Sequence, residues 1–134
     1  MRKQNWQHLL GEHVARHQST SFDWRANNCT TFAASWVNIA TGRATEVPTT
    51  TSARAALRAV RSLGGLHADA CRQLGKPVPG AFAQCGDVAL LKTSRSRGRI
   101  TYALGVCLGA VCAAPGLTGL MLLPITEAEA AWRV

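Results

Sequence analysis

The sequence contains no long uninterrupted hydrophobic run. No stretch of its 134 residues reaches the ~18 consecutive apolar residues that a transmembrane helix needs. The first residues, Met1 to Trp6, lead into a polar amphipathic segment rather than the apolar centre of a signal peptide. We therefore expect no membrane span and no signal peptide, and a protein that is made in a cytoplasm.

The sequence also lacks the residue spacings of a metal site. It contains no C-x-x-C motif of the kind that zinc sites use, and its histidines His13 and His17 come without an H-E-x-x-H order or a nearby third ligand. The five cysteines are Cys29, Cys71, Cys85, Cys107 and Cys112. An odd number leaves at least one thiol free, and thiols in apolar surroundings usually fill a core. We expect neither a metal nor a cofactor.

Acidic residues are scarce. Seven Asp and Glu stand against 15 Lys and Arg, which gives a net charge of +8 and favours anionic surfaces such as nucleic acid, wall polymer or acidic proteins. The densest basic run, from Lys92 to Arg99, lies between two apolar runs, so it is interpreted as a solvated hairpin loop. No aromatic residues interleave with it, as a single-strand nucleic-acid groove requires. No specific nucleic-acid site is predicted, and a basic nucleic-acid-binding protein is the weaker alternative.

The composition that remains is that of one folded domain. With 47% hydrophobic and 16% charged residues, the chain is too apolar to be disordered, and its length suits a single core. We find no internal repeat and no composition shift that would mark a linker. One domain over residues 1–134 is therefore predicted.

The first half of the chain has helical periodicity. Apolar residues recur at intervals of three and four residues over about residues 3–18, which predicts a first helix there. A second apolar stripe predicts a helix that begins at Asn28 or Cys29 and ends at Thr41-Gly42. A third helix is predicted over about residues 53–63, before Gly64-Gly65, and a short fourth over 66–74.

The second half predicts strands, after prolines that favour extended backbone. They cover residues 87–92, 100–108, 111–114 and 120–123, and a short capped helix is predicted from Thr126 to Ala131. Gly109-Ala110 fits a two-residue hairpin turn, which makes Cys107 and Cys112 direct cross-strand neighbours. Helices followed by a meander of strands predict an α+β domain, with N-terminal helices packed on a C-terminal antiparallel sheet.

Cys29 is the first candidate for chemistry, because it stands at the start of the second helix. Unpaired backbone N–H groups and the helix dipole stabilise a thiolate there, and Asn28 is suited to cap the helix. The N–H groups could also help to form an oxyanion hole. The alternative is that Cys29 is simply the first residue of the buried stripe.

Three short motifs in order resemble those of NlpC-type cysteine peptidases of the papain-like superfamily. They are Asn28-Cys29-Thr30-Thr31-Phe32, Gly86-Asp87-Val88-Ala89-Leu90-Leu91, and Ala103-Leu104-Gly105-Val106-Cys107-Leu108-Gly109. In that family the first motif, typically Asp-Cys-Ser-Gly, holds the nucleophile. The second opens a core strand, and the third, typically His-Val-Gly-Ile-Tyr-Leu-Gly, begins with the general base. The resemblance implies a papain-like NlpC-type fold with Cys29 as nucleophile.

A closer resemblance is to a branch of small proteins from phage and prophage tail gene clusters. It includes the tryptophan before Cys29, the Phe-Ala-Ala after it, and the ending Ala131-Trp132-Arg133-Val134. The resemblance implies a virion protein at the tail tip, where related peptidase domains open peptidoglycan or assist assembly. Implied partners are other tail-tip proteins and peptidoglycan.

The residue at the position of the family's base is Ala103, which cannot accept a proton, and Asn28 replaces the family's Asp. A cysteine peptidase without its imidazole lacks the group that forms the ion pair and protonates the leaving amine. The sequence therefore predicts a tail component that keeps the peptidase scaffold in a structural or assembly role. The alternative is an active peptidoglycan endopeptidase or amidase in which Cys29 recruits a histidine from a helix, such as His67.

Overall fold

A computed structural model describes residues 2–23, 27–45, 52, 54–55, 58, 65–96 and 99–134, with backbone alone for 94–96 and 99–100. Three helices are described: α1 (Trp6–His17), α2 (Cys29–Thr41) and α3 (Leu66–Leu74). They confirm the first, second and fourth predicted helices. The helix predicted over about residues 53–63 lies largely outside the described residues. No described helix is long and apolar enough to cross a membrane.

Six antiparallel strands form one sheet. They are β1 (Val78–Pro79), β2 (Val88–Ser96), β3 (Arg99–Cys107), β4 (Val111–Gly116), β5 (Gly119–Pro124) and β6 (Ala128–Trp132). Their order in the sheet is β1-β6-β2-β3-β4-β5. The protein is thus an α+β domain in which the helices precede the sheet, as predicted.

The helix predicted from Thr126 to Ala131 is wrong. A 3₁₀ turn, Ile125–Glu127, leads instead into β6, which pairs with β1 on one side and with β2 on the other. The Glu and Ala residues favour a helix in isolation, but the pairing with two strands and the burial of Ala130, Ala131 and Trp132 override this weak preference.

The basic run is not a loop over its whole length. The backbone of β2 continues through Ser96 and pairs with β3, so that Ser94 lies opposite Thr101 and Ser96 opposite Arg99. A register shift between Lys92 and Ser94 marks a bulge where the hairpin passes the basic residues. The hairpin interpretation therefore holds, but the strands are longer than predicted.

The sheet buries side chains on both faces. On one face, Val88, Leu90 and Leu104 pack with residues of α2 and α3, and Val106 and Ala113 pack with residues of α1 and α2. The alternate residues, which include Leu91, form a second cluster with Ala83, with side chains of β5 and with Ile125 of the 3₁₀ turn. The predicted turn at Gly109-Ala110 is confirmed, and Cys107 lies directly opposite Cys112 within that second cluster.

Candidate functional site

The start of α2 is fixed by a reciprocal cap. The side chain oxygen of Asn28 accepts from the backbone N–H groups of Thr30 and Thr31, each at 3.0 Å. In return, the Asn28 N–H donates to the hydroxyl of Thr31 at 2.9 Å. Asn28 is itself buried. The N–H groups of Thr30 and Thr31 are therefore already hydrogen-bonded to Asn28 and are not free to bind a substrate oxyanion.

The Cys29 thiol lies between the first turn of α2 and strand β3. Its sulfur is 3.9 Å from the hydroxyl of Thr30, and the backbone of Leu104 also interacts with it. Burial raises the pKa of the Cys29 thiol, and this effect outweighs the opposing hydrogen bonds from Leu104, Thr30 and its own backbone. We expected the start of the helix to stabilise the thiolate and so to lower the pKa of Cys29, but the pKa shifts in the opposite direction.

Ala103 lies next in the chain to Leu104, at the point where β3 passes the Cys29 sulfur. It is partly exposed and pairs across the sheet with Leu91 of β2. Ala103 therefore lies on the same face of the sheet as Leu91, and its side chain points away from the face on which Leu104 packs with α2 and Cys29. Its methyl side chain has no atom that can take a proton.

The four histidines are all described, and each has other partners. His8 pairs with Glu12 at 2.9 Å on the exposed side of α1. His13 and His17 lie against Phe32, with ring centroids 4.7 and 5.2 Å away. None of them, nor His67 on α3, is among the groups that shift the pKa of Cys29. The structure thus brings Asn28 and Cys29 together beside Leu104, it places the Ala103 side chain on the opposite face of the sheet, and no histidine forms a hydrogen bond with the Cys29 sulfur.

A cleft between α2, α3 and the sheet runs beside this site. Thr30, Leu104, Thr45, Asp69 and Gln73 are among its lining residues, and its volume is about 30 Å³. This volume holds about two water molecules and is far smaller than the ~300 Å³ of an ordinary ligand pocket. The described part of the chain contains no group of three or more His, Cys, Asp and Glu that could hold a metal.

Comparison with known proteins gives one family. Residues 1–134 match a domain of unknown function, DUF6950. The chain belongs to this family. No curated protein and no solved structure matches it.

A second polar cluster in this DUF6950 domain lies away from Cys29. The buried carboxylate of Asp87 accepts from the guanidinium of Arg2 at 2.8 Å and from the backbone N–H of Gln84 at 2.9 Å. Arg2 also donates to the carbonyl oxygens of Cys85, at 3.0 Å, and of Val134. Sequence reasoning placed Asp87 before a core strand but missed Arg2, because the two residues are 85 positions apart in the chain and no local pattern links them.

Proposed function

We propose that this protein is a structural or assembly component of a phage or prophage tail, built on an NlpC-type peptidase scaffold that has lost its catalytic base. The observation that carries this proposal is the surroundings of the Cys29 sulfur. Its neighbours are Thr30 and the backbone of Leu104, and no histidine forms a hydrogen bond with it. The residue before Leu104, where the motif of the resembled family has its histidine, is Ala103.

The chemistry of the site supports a role without catalysis. Because burial raises the pKa of the Cys29 thiol, the sulfur stays protonated near neutral pH and is a poor nucleophile. Among the described residues, no histidine forms a hydrogen bond with the Cys29 sulfur through which it could take the thiol proton. Loss of such a base removes about 10²–10⁴-fold in rate.

The geometry around the three motifs supports the scaffold. The Cys29 helix packs on the strand of the third motif, and the carbonyl of Gly86, in the second motif, accepts from the indole of Trp36 on the same helix at 2.8 Å. Gly86 has a φ of 92°, which favours glycine. A Cβ at Gly105 would lie 2.5 Å from the carbonyl oxygen of Ala113, so the glycine of the third motif permits the close approach of β3 and β4.

The proposed location is the virion, in the tail, after assembly in the cytoplasm of a bacterial host. Proposed partners are other tail-tip proteins, and peptidoglycan if the site retains any affinity for the wall. This part of the proposal rests on the resemblance to small phage and prophage tail proteins. The net charge of +8 is compatible with acidic protein neighbours.

The first experiment compares wild type with Cys29→Ala on purified muropeptides. We expect no cleavage by either protein. Cleavage by wild type that disappears in Cys29→Ala would instead establish the peptidase with a recruited base.

The second experiment tests the place in the virion. The gene is deleted from its phage, and particles are examined by electron microscopy and mass spectrometry. We expect particles with defective or absent tail tips, restored by a Cys29→Ala copy of the gene. Intact tails that infect normally would exclude the assembly role.

A further inference from the structure

The five thiols of the chain differ in their surroundings. Burial raises the pKa of Cys29 and Cys85, and raises that of Cys112 to about 12 with a further contribution from Cys107 beside it. Cys107 is fully buried within the sheet. Cys71 is the remaining thiol; it lies on α3 and is partly exposed, as are Cys29 and Cys85.

Cys71 has an imidazole beside it. One turn earlier on α3, Nδ1 of His67 lies 3.7 Å from the Cys71 sulfur, within reach of a thiol hydrogen bond. The His67 side chain is exposed, and its ring meets the edge of Trp132 with centroids 5.5 Å apart. This contact with the buried Trp132 of β6 orients the His67 ring on the side that faces the sheet. The charged neighbours on the helix, Asp69 and Arg72, are paired with each other.

The pair combines features that a reactive cysteine needs. A nucleophilic thiol requires access to its reagent and a neighbouring group that takes its proton. Cys29, Cys71 and Cys85 all have partial exposure, and Cys71 is the one of these three with an imidazole nitrogen as a hydrogen-bond partner, at 3.7 Å. Neither feature depends on the peptidase motifs, since His67 and Cys71 lie between the first motif and the second.

We propose that Cys71, with His67 as its base, is a site of reversible modification by low-molecular-weight disulfides. The Cys71 sulfur attacks one sulfur of the disulfide RS–SR as its proton passes to His67. A Cys71–S–SR bond forms, the RS–SR bond breaks, and the leaving RS⁻ takes up the proton as RSH. No other oxidant is consumed, and excess thiol reverses the exchange.

The experiment uses oxidised glutathione as the disulfide and the purified full chain. Peptide mass spectrometry after short exposures gives the rate of adduct formation at each cysteine. We expect Cys71 to be modified first, and dithiothreitol to remove the adduct. Cys71→Ser should abolish this early adduct, whereas Cys29→Ala should leave its rate unchanged.

His67→Gln separates assistance by the imidazole from simple exposure. Glutamine keeps the exposed position but is not a base at neutral pH, so the native rate at Cys71 should fall by about tenfold or more. In 8 M urea, wild type and His67→Gln should react at equal rates, because the pair then no longer exists. This comparison also controls for a folding defect in the variant, whose thermal unfolding is measured in parallel.

Two results would overturn the proposal. One is an equal native rate at Cys71 in wild type and in folded His67→Gln, which would mean that exposure alone sets the reactivity. The other is faster modification of Cys29 or Cys85 than of Cys71 in the native protein. Because the assay reads modification rather than peptide cleavage, its outcome does not depend on the proposed tail function.

Discussion

At the scale of single residues, Cys29 shows how two effects on one thiol compete. A helix start stabilises a nearby negative charge by about 0.3–1 kcal/mol. Burial disfavours the thiolate by more than the helix start and the hydrogen bonds favour it, so the pKa of Cys29 is raised. Sequence reasoning found the cysteine and the missing histidine, but it could not weigh a desolvation that depends on the tertiary packing around the sulfur.

The apolar periodicity of α1 predicts only part of the surroundings of His13. This histidine is fully buried, stacks on Phe32 and has Nε2 at 3.2 Å from the Phe32 carbonyl oxygen, which requires the tautomer that carries its proton on Nε2. Burial, followed by the neighbouring His17, lowers the pKa of His13 from 6.5 to about 4. A proton on this ring is therefore costly in the folded protein.

This shift predicts a loss of stability on acidification. Between pH 6.5 and 4 the unfolded chain binds a proton at His13 that the folded protein does not bind, so the free energy of unfolding falls as the pH is lowered through this window. The loss approaches about 3 kcal/mol near pH 4. Urea unfolding of wild type and His13→Gln from pH 7.5 to 4.5 measures it, since glutamine still donates to Phe32 but does not titrate.

The control is His8→Gln, on the exposed face of the same helix. It should retain the pH dependence of wild type, while His13→Gln should show a flatter curve. If the two variants and wild type lose stability in parallel over this range, another group is responsible for the dependence.

At the scale of elements, the cap of α2 is a testable unit. Asn28→Ala removes the side-chain half of the exchange with Thr31 and leaves the N–H groups of Thr30 and Thr31 without their side-chain acceptor, while the backbone N–H of residue 28 can still donate to the Thr31 hydroxyl. We expect a loss of about 1 kcal/mol in the free energy of unfolding, measured by urea denaturation. The matched control is Asn38→Ala on the exposed side of the same helix, which should change stability by less than about 0.5 kcal/mol. Equal effects of the two substitutions would show that the cap does not stabilise α2.

The elements differ in how much of them the sequence could predict. Helices α2 and α3 were predicted nearly to the residue, because their signals are local: an Asn cap, a repeat of apolar residues and a terminal glycine. Strand β6 was mistaken for a helix, because its identity depends on strands β1 and β2, which lie far away in the chain. The same distinction applies to the candidate site, where the Asn28 cap is a local feature and the contact with β3 is not.

At the scale of the whole molecule, Arg2 ties the beginning of the chain to its end. It binds the carbonyl oxygen of Val134, and its guanidinium lies 4.4 Å above the ring of Trp6. It is also the nearest cation to buried Asp87, with Arg133 farther away at 3.7 Å. The two ends are thus held to the turn before β2 through one side chain.

Removal of Arg2 should therefore destabilise the whole domain. Arg2→Ala leaves the buried Asp87 carboxylate with the more distant Arg133 as its cation and with the hydrogen bond from the Gln84 N–H, and loss of one member of a buried ion pair costs about 3–5 kcal/mol. We expect a loss near 3 kcal/mol in urea denaturation, since Arg133 retains part of the attraction. Lys3→Ala, which removes an exposed positive charge from the next position, should cost less than about 0.5 kcal/mol.

A double-mutant cycle tells whether the charge or the packing of Arg2 is responsible. In Asp87→Asn the buried group is neutral, so the further loss of Arg2 leaves no unpaired charge and should cost about 1–3 kcal/mol less than it does in wild type. If Arg2→Ala costs the same in both backgrounds, the contacts of Arg2 with Trp6 and Val134 account for its effect, and Asp87 is held by its other hydrogen bonds.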